Sequence, residues 1–169
     1  AKVGSINGVG GVKVYSGREW NGGGTVKVVF TTSSFNVPSQ TLIDQVQNEV
    51  DPEANAGEGL GVAPIGHIVT CVGANGVNVN ITADFTYSSD YHLNACISGM
   101  QTAIDEYFLQ LNQEWQDSSE IVVRVADIIS SLISVEGIVD VQNIKLNGSI
   151  GNLIVDKDSL VIRGTINEL

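Results

Sequence analysis

A chain of 169 residues with 43% apolar residues is long enough for one domain with a sizeable core, or for two small subdomains, and too apolar to stay disordered. Its formal net charge of −11 is unevenly spread: from Val28 to Val123 there are 12 acids and not one Lys or Arg, a block that repels phosphates and speaks against nucleic-acid binding through it. Mean hydropathy is +0.15, the longest apolar runs are far too short to span a bilayer, and no charged start followed by an apolar stretch marks a signal peptide, so the expectation is a soluble chain made in the cytoplasm.

The first residue is Ala1 and the pattern begins at once, which suggests a piece of a longer protein. Lys2, Lys13, Arg18 and Lys27 stand against Glu19 alone in the first 27 residues. Val12 and Val14, then Val26, Val28 and Phe30, alternate with period two and predict an antiparallel strand pair joined through Gly22, Gly23 and Gly24. Pro38 and Ser39 open a helix with Leu42, Ile43, Val46 and Val50 on one face and Ser39 or Thr41 as N-cap; Asp51-Pro52 ends it, because proline disfavours helical backbone in the residue before it. A glycine-rich loop runs to Pro64.

Strands over Ile65–Gly73 and Val77–Tyr87 follow, and Asn75-Gly76 between them suits the left-handed positions of a type I′ turn, which predicts a hairpin. The strongest periodic signal is a helix from about Asp90 to Trp115, with Leu93, Ile97, Met100, Ile104, Phe108 and Leu111 recurring every three or four residues; it is expected to lie across the sheet. A strand near Ile121–Val123, a short helix bearing Ile128, Ile129, Leu132 and Ile133, and a strand from Ile138 to Leu146 come next. A last hairpin, Leu153–Val155 with Leu160–Ile166, turns through Asp156, Lys157 and Asp158. The fold class is therefore α+β: antiparallel or mixed sheets covered by one long and two shorter helices. Two subdomains are expected, residues 1–87 (strand pair, helix and β-hairpin) and 88–169 (long helix, short helix and C-terminal strands), packed as one unit. Ile6-Asn7-Gly8-Val9 before the first strand is echoed by Val135-Glu136-Gly137-Ile138 before the strand at 138.

Chemistry is hard to find in this pattern. Gly57-Glu58-Gly59-Leu60-Gly61 has a helix before it and a strand after it, the reverse of what a dinucleotide fingerprint needs, so no cofactor is expected. Asp51, Glu53, Asn55 and Glu58 could offer oxygens to calcium, but their spacing is not that of an EF-hand loop, and acidic surface loops without metal are commoner. His67, His92 and Cys71 sit in no nucleophile elbow or metalloprotease helix. Cys71 falls in an apolar strand and reads as a structural thiol, and Cys71 and Cys96 are too few for a disulfide scaffold. Trp20, followed by Asn21 and three glycines, is the better of the two tryptophans for an interface anchor, with Glu53 and Glu58 of the acidic loop beside it as candidates.

The run Gly61-Val62-Ala63-Pro64-Ile65-Gly66-His67-Ile68-Val69-Thr70 after Asp51-Pro52 resembles the centre of the baseplate J-like protein family of contractile phage tails, especially the PBSX type found in phage-like elements of Gram-positive bacteria. The frame is similar too: Trp20-Asn21-Gly22 before a strand, the Pro38-Ser39 helix, and Glu136-Gly137-Ile138-Val139-Asp140-Val141. The resemblance covers nearly the whole chain, as the C-terminal portion of a longer protein. It implies a non-enzymatic baseplate wedge subunit of a virion or tail-like particle, assembled in the bacterial cytoplasm. Its partners would be other wedge proteins and copies of itself, with no nucleic acid and no membrane span. Asp51, Gly61, Pro64, Gly66 and Gly137 carry over only as elements that shape the backbone. A receptor- or carbohydrate-binding module is the alternative; it would group exposed aromatics on a nearly all-β pattern, and the long helix weighs against it.

Overall fold

The computed structural model describes residues 2–169 and divides the chain into two compact units, Ala1–Asn75 and Gly76–Leu169. Sheets and helices together make it α+β, with one long and two shorter helices as the sequence predicts.

The first unit is built on a three-stranded sheet of β1 (Val9–Ser16), β2 (Thr25–Thr32) and β3 (Ile68–Gly73), in that order. β1 and β2 are antiparallel, whereas β2 and β3 run parallel, from Thr25 opposite Ile68 to Phe30 opposite Gly73. A parallel neighbour requires a crossover, and α1 (Gln40–Val50) supplies it. Ser39 caps this helix, its hydroxyl accepting from the Leu42 amide at 3.3 Å, and the helix stops at Asp51, the residue before Pro52. Val46 and Val50 of α1 join Val28, Phe30, Val69 and Cys71 in one buried cluster. Each such side chain gives about 1.5–3 kcal/mol on burial, and that burial holds helix and sheet together.

The second unit has β4 (Asn75–Tyr87), α2 (Leu93–Gln113), β5 (Ile121–Val123), α3 (Val125–Ile133), β6 (Ile138–Leu146), β7 (Leu153–Val155) and β8 (Ser159–Glu168). Its main sheet has the order β6-β4-β8, and β5 and β7 form a separate antiparallel pair. α2 packs on β8 and α3. Cys96, Met100, Ile104 and Phe108, spaced by four, are its buried apolar residues, while Leu93, Ile97 and Leu111 are only half-buried.

Two predicted hairpins are corrected. β3 and β4 do not pair: β3 lies beside β2, and β4 lies between β6 and β8. Only Ala74 separates β3 from β4, and neither Asn75 nor Gly76 has the positive φ that a type I′ turn demands at both its central positions. The C-terminal turn does form, with Asp156 accepting from the Asp158 amide at 2.9 Å and the Ser159 hydroxyl at 2.8 Å. It hands the chain from one sheet to another, however, because β7 pairs with β5 while β8 sits beside β4. At Val161 of β8, the buried amide of Asn112 on α2 takes the backbone groups instead: its Nδ2 donates to the Val161 carbonyl and its Oδ1 accepts from the Val161 amide, both at 3.0 Å.

The echo noted in the sequence is a shared turn. The Val9 amide donates to the Ile6 carbonyl at 3.1 Å and the Ile138 amide to the Val135 carbonyl at 3.2 Å, with Gly8 and Gly137 at φ +90° and +92°. A glycine with positive φ at the third place of a four-residue turn is what a type II turn calls for.

Candidate functional site

The densest set of polar contacts made by residues singled out in the sequence is the lock around Asp51. Its carboxylate is wholly buried, with Oδ1 accepting from the Gly57 amide at 3.0 Å and Oδ2 from the Val69 amide at 2.8 Å. One turn earlier on α1, Gln47 completes the arrangement: its Oε1 accepts from the Cys71 amide at 2.7 Å, and its Nε2 donates to the carbonyls of Val69 at 2.9 Å and Asp51 at 2.6 Å. The edge of β3 that faces away from β2 is thus closed by side chains of α1, leaving the amides of Val69 and Cys71 satisfied and unavailable to a foreign strand.

The other motif residues shape the loop that this lock holds. After Gly61 the chain doubles back on α1, and the Val62 and Ala63 amides donate to the carbonyls of Glu49 and Val50 at 3.1 and 2.8 Å. These are two of the carbonyls that a helix end leaves unpaired. The approach admits no side chain at Gly61: a Cβ there would run into the Val50 carbonyl and stand 2.7 Å from that of Glu49. Pro64 is exposed and its carbonyl accepts from the His67 amide at 3.2 Å. Gly66, at φ +84°, donates its amide to Gly57 at 2.8 Å, so Gly57 is tied both to Asp51 and to Gly66. Gly137, in the second unit, lies against the ring of Tyr91, which occupies the space a Cβ would need. The Tyr91 hydroxyl donates to Glu136 at 2.9 Å, a bond that pushes its pKa up.

A family model described as the Baseplate J-like central domain matches residues 1–73, and a second, the Baseplate J-like protein C-terminal domain, matches residues 79–168. The chain belongs to the baseplate J-like family. That makes it a structural protein of a phage-type baseplate in the coarse sense the family name carries. Among curated proteins, Bacillus subtilis (strain 168) YqbT is 33% identical over 164 residues, which is 96% of this chain and 44% of YqbT. The phage-like element PBSX protein XkdT of the same strain is 31% identical over 150 residues, 89% of this chain and 40% of XkdT. The chain therefore spans less than half the length of either relative.

Among the described residues of this baseplate J-like chain the reactive side chains do not converge. Both Asp51 oxygens are taken by backbone amides, Glu53 is exposed, and the Asn55 amide group donates to Glu58 at 2.9 Å, so the four calcium candidates do not turn their oxygens to one point. Among the described residues, no three His, Cys, Asp or Glu side chains gather as a metal site would require. His67 is exposed in the loop, and His92 is exposed at the start of α2, where its side chain makes no capping bond. The Cys71 thiol is buried, and burial first, the Asp51 charge second, push its pKa up to about 12. A nucleophilic cysteine needs the opposite shift, because the thiolate is the reactive form. Cys96 is likewise buried and free.

Of the proposed interface residues, Trp20 is 45% exposed, with the Lys27 ammonium 5.2 Å from the centroid of its ring. Glu53 lines a shallow cleft with Asp44, and Glu58 is exposed. Trp115 is buried. The residues that sequence reasoning missed are Gln47 and Asn112, the two helix-borne amides that close strand edges. Their signal was present: each is a polar residue at a core-facing place in an otherwise apolar helical stripe, next to Val46 and Val50 in one case and after Ile104 and Phe108 in the other.

Proposed function

We propose that the chain is a wedge component of the baseplate of a contractile phage tail or phage tail-like particle, acting through contacts with other wedge proteins and with copies of itself, and performing no catalysis. The observation that carries this reading is the use made of the buried polar side chains. Asp51, Gln47 and Asn112 all spend their hydrogen bonds on backbone, and the candidate nucleophile, Cys71, is held as a protonated thiol. Side chains arranged in this way fix loops and strand edges within each unit, and a fixed surface is what a subunit of a large repeated assembly has to contribute.

The relative XkdT, a protein of the phage-like element PBSX, supports the same assignment. Assembly would take place in the bacterial cytoplasm, before release of the particle. A receptor- or carbohydrate-binding module is disfavoured because Trp20 is the one large aromatic exposed among the described residues, where such a module would group several. The test is electron microscopy of particles carrying a tagged full-length protein. Label at the baseplate is expected; label along the tail tube, on the head or absent from particles would reject the assignment.

A further inference from the structure

We infer that the first unit carries the two halves of a head-to-tail contact between copies of this chain: a cationic cleft at the tip of the β1–β2 hairpin and an acidic cleft along α1. This rests on the reading of the chain as a baseplate component that touches copies of itself, and adds to it where and how. The cationic cleft, about 660 Å³, lies between the β1–β2 connection and the turn at Gly66 and His67; its titratable lining groups are Arg18 and His67, and the Glu19 carboxylate accepts from Ser16 at its wall. Exposed side chains suited to an interface flank it in the sequence: Trp20, Ile65 at 80% and Ile68 at 49% exposure. Lys27 sits over the rings of both Trp20 and Tyr15, at 5.2 and 5.5 Å, keeping a second positive charge beside the exposed indole.

The acidic cleft, about 370 Å³, is lined by Asp44, Gln47, Asn48, Pro52, Glu53 and Ala54, so its titratable groups are two carboxylates. The two clefts share no residue. The charges of the unit are sorted in the same way: the first 27 residues carry four bases and one acid, and residues 28–75 carry five acids and no base. One surface of each sign on every copy makes a heterologous contact, which repeats around a ring if the rotation closes. Opposite charge across it guides encounter and register.

The absence of a side chain at Gly23 points the same way. It lines the cationic cleft, its φ lies outside the left-handed range, and a Cβ added there meets nothing within 4 Å. None of the described residues asks for glycine at this place, whereas a partner surface seated on the cleft would.

The test uses sedimentation velocity of the full-length protein at low ionic strength, about 0.01 M, where screening is weakest. The wild type is expected to associate as its concentration rises. Arg18→Glu alone and the Asp44→Lys, Glu53→Lys pair alone should each weaken association at least tenfold. Mixed one to one, they should associate again, since the mixture retains one intact cleft of each sign and the two reversed clefts are themselves opposite in charge. Gly23→Leu, which has open space in the isolated chain, should weaken association with an unchanged melting temperature, and it decides the matter if a charge variant proves unstable. A wild type that stays monomeric, variants that associate as the wild type does, or a mixture that remains monomeric would each overturn the inference. The baseplate assignment fails separately, through the position of the label in particles.

Discussion

Both units open a strand with the same glycine turn, Ile6–Val9 in one and Val135–Ile138 in the other, and both use a helix-borne amide to close a strand edge. They differ in what else the helix brings. Asn112 acts alone and is neutral, making a reciprocal pair of bonds to Val161. Gln47 acts with the charged Asp51, and the pair also ties down a loop through Gly57. Covering an edge and fixing a long glycine-rich loop are two jobs that the sequence places under one pattern: one amide suffices for the first, and a buried carboxylate supplies two acceptors for the second.

The largest effect expected from breaking this comparison is on the Asp51 side. Asp51→Ala leaves the Gly57 and Val69 amides without acceptors and should cost about 3 kcal/mol, read by denaturant unfolding, with loss of hydrogen-exchange protection at those two amides. Asn112→Ala removes two neutral bonds and should cost about 2 kcal/mol, with the loss of protection centred on Val161. An Asn112 variant that proves the more damaging would mean that the loop lock is not the stronger device.

The shared turn offers a finer comparison. Alanine at Gly8 faces the strain of a positive φ and a close Leu42 methyl at 3.2 Å, while alanine at Gly137 faces the same strain and the Tyr91 ring. Gly137→Ala should therefore exceed Gly8→Ala by about 1 kcal/mol in unfolding free energy, and Tyr91→Ala should narrow the gap.

The effect that is smallest at neutral pH is electrostatic and emerges only in alkali. The folded-state pKa of Cys71, about 12, lies above its unfolded value near 9, so the folded chain holds the proton more tightly. The stability this contributes is fully present below about pH 9 and is lost as pH rises toward 12, at up to about 1.4 kcal/mol per pH unit. Cys71→Val should remove that slope; a variant whose alkaline stability profile matches the wild type would place the titration elsewhere.

How much of this could be read from the residues alone depended on range. The start and end of α1 are local matters, set by Ser39 and by Asp51 before Pro52, and the periodicity of α2 survives in its buried Met100, Ile104 and Phe108. Strand pairing is not local. Asn75-Gly76 and Asp156–Asp158 carry turn chemistry, yet the partners of β3 and β8 are decided by a crossover helix and by Asn112, whose residues lie tens of positions away. The motif after Asp51 was legible as a shape-giving element. What it binds, two amides and the end of its own helix, required coordinates, because a buried carboxylate and an exposed one look alike in a sequence.

The central claim is that the polar side chains of this chain build form and leave none for turnover. Replacing His67, His92 and Cys71 together with Gln, Gln and Val in the full-length protein, and measuring the biological activity of purified particles, tests it most directly. Particles should assemble in normal number and keep their activity; intact, normally assembled particles that have lost it would contradict the account.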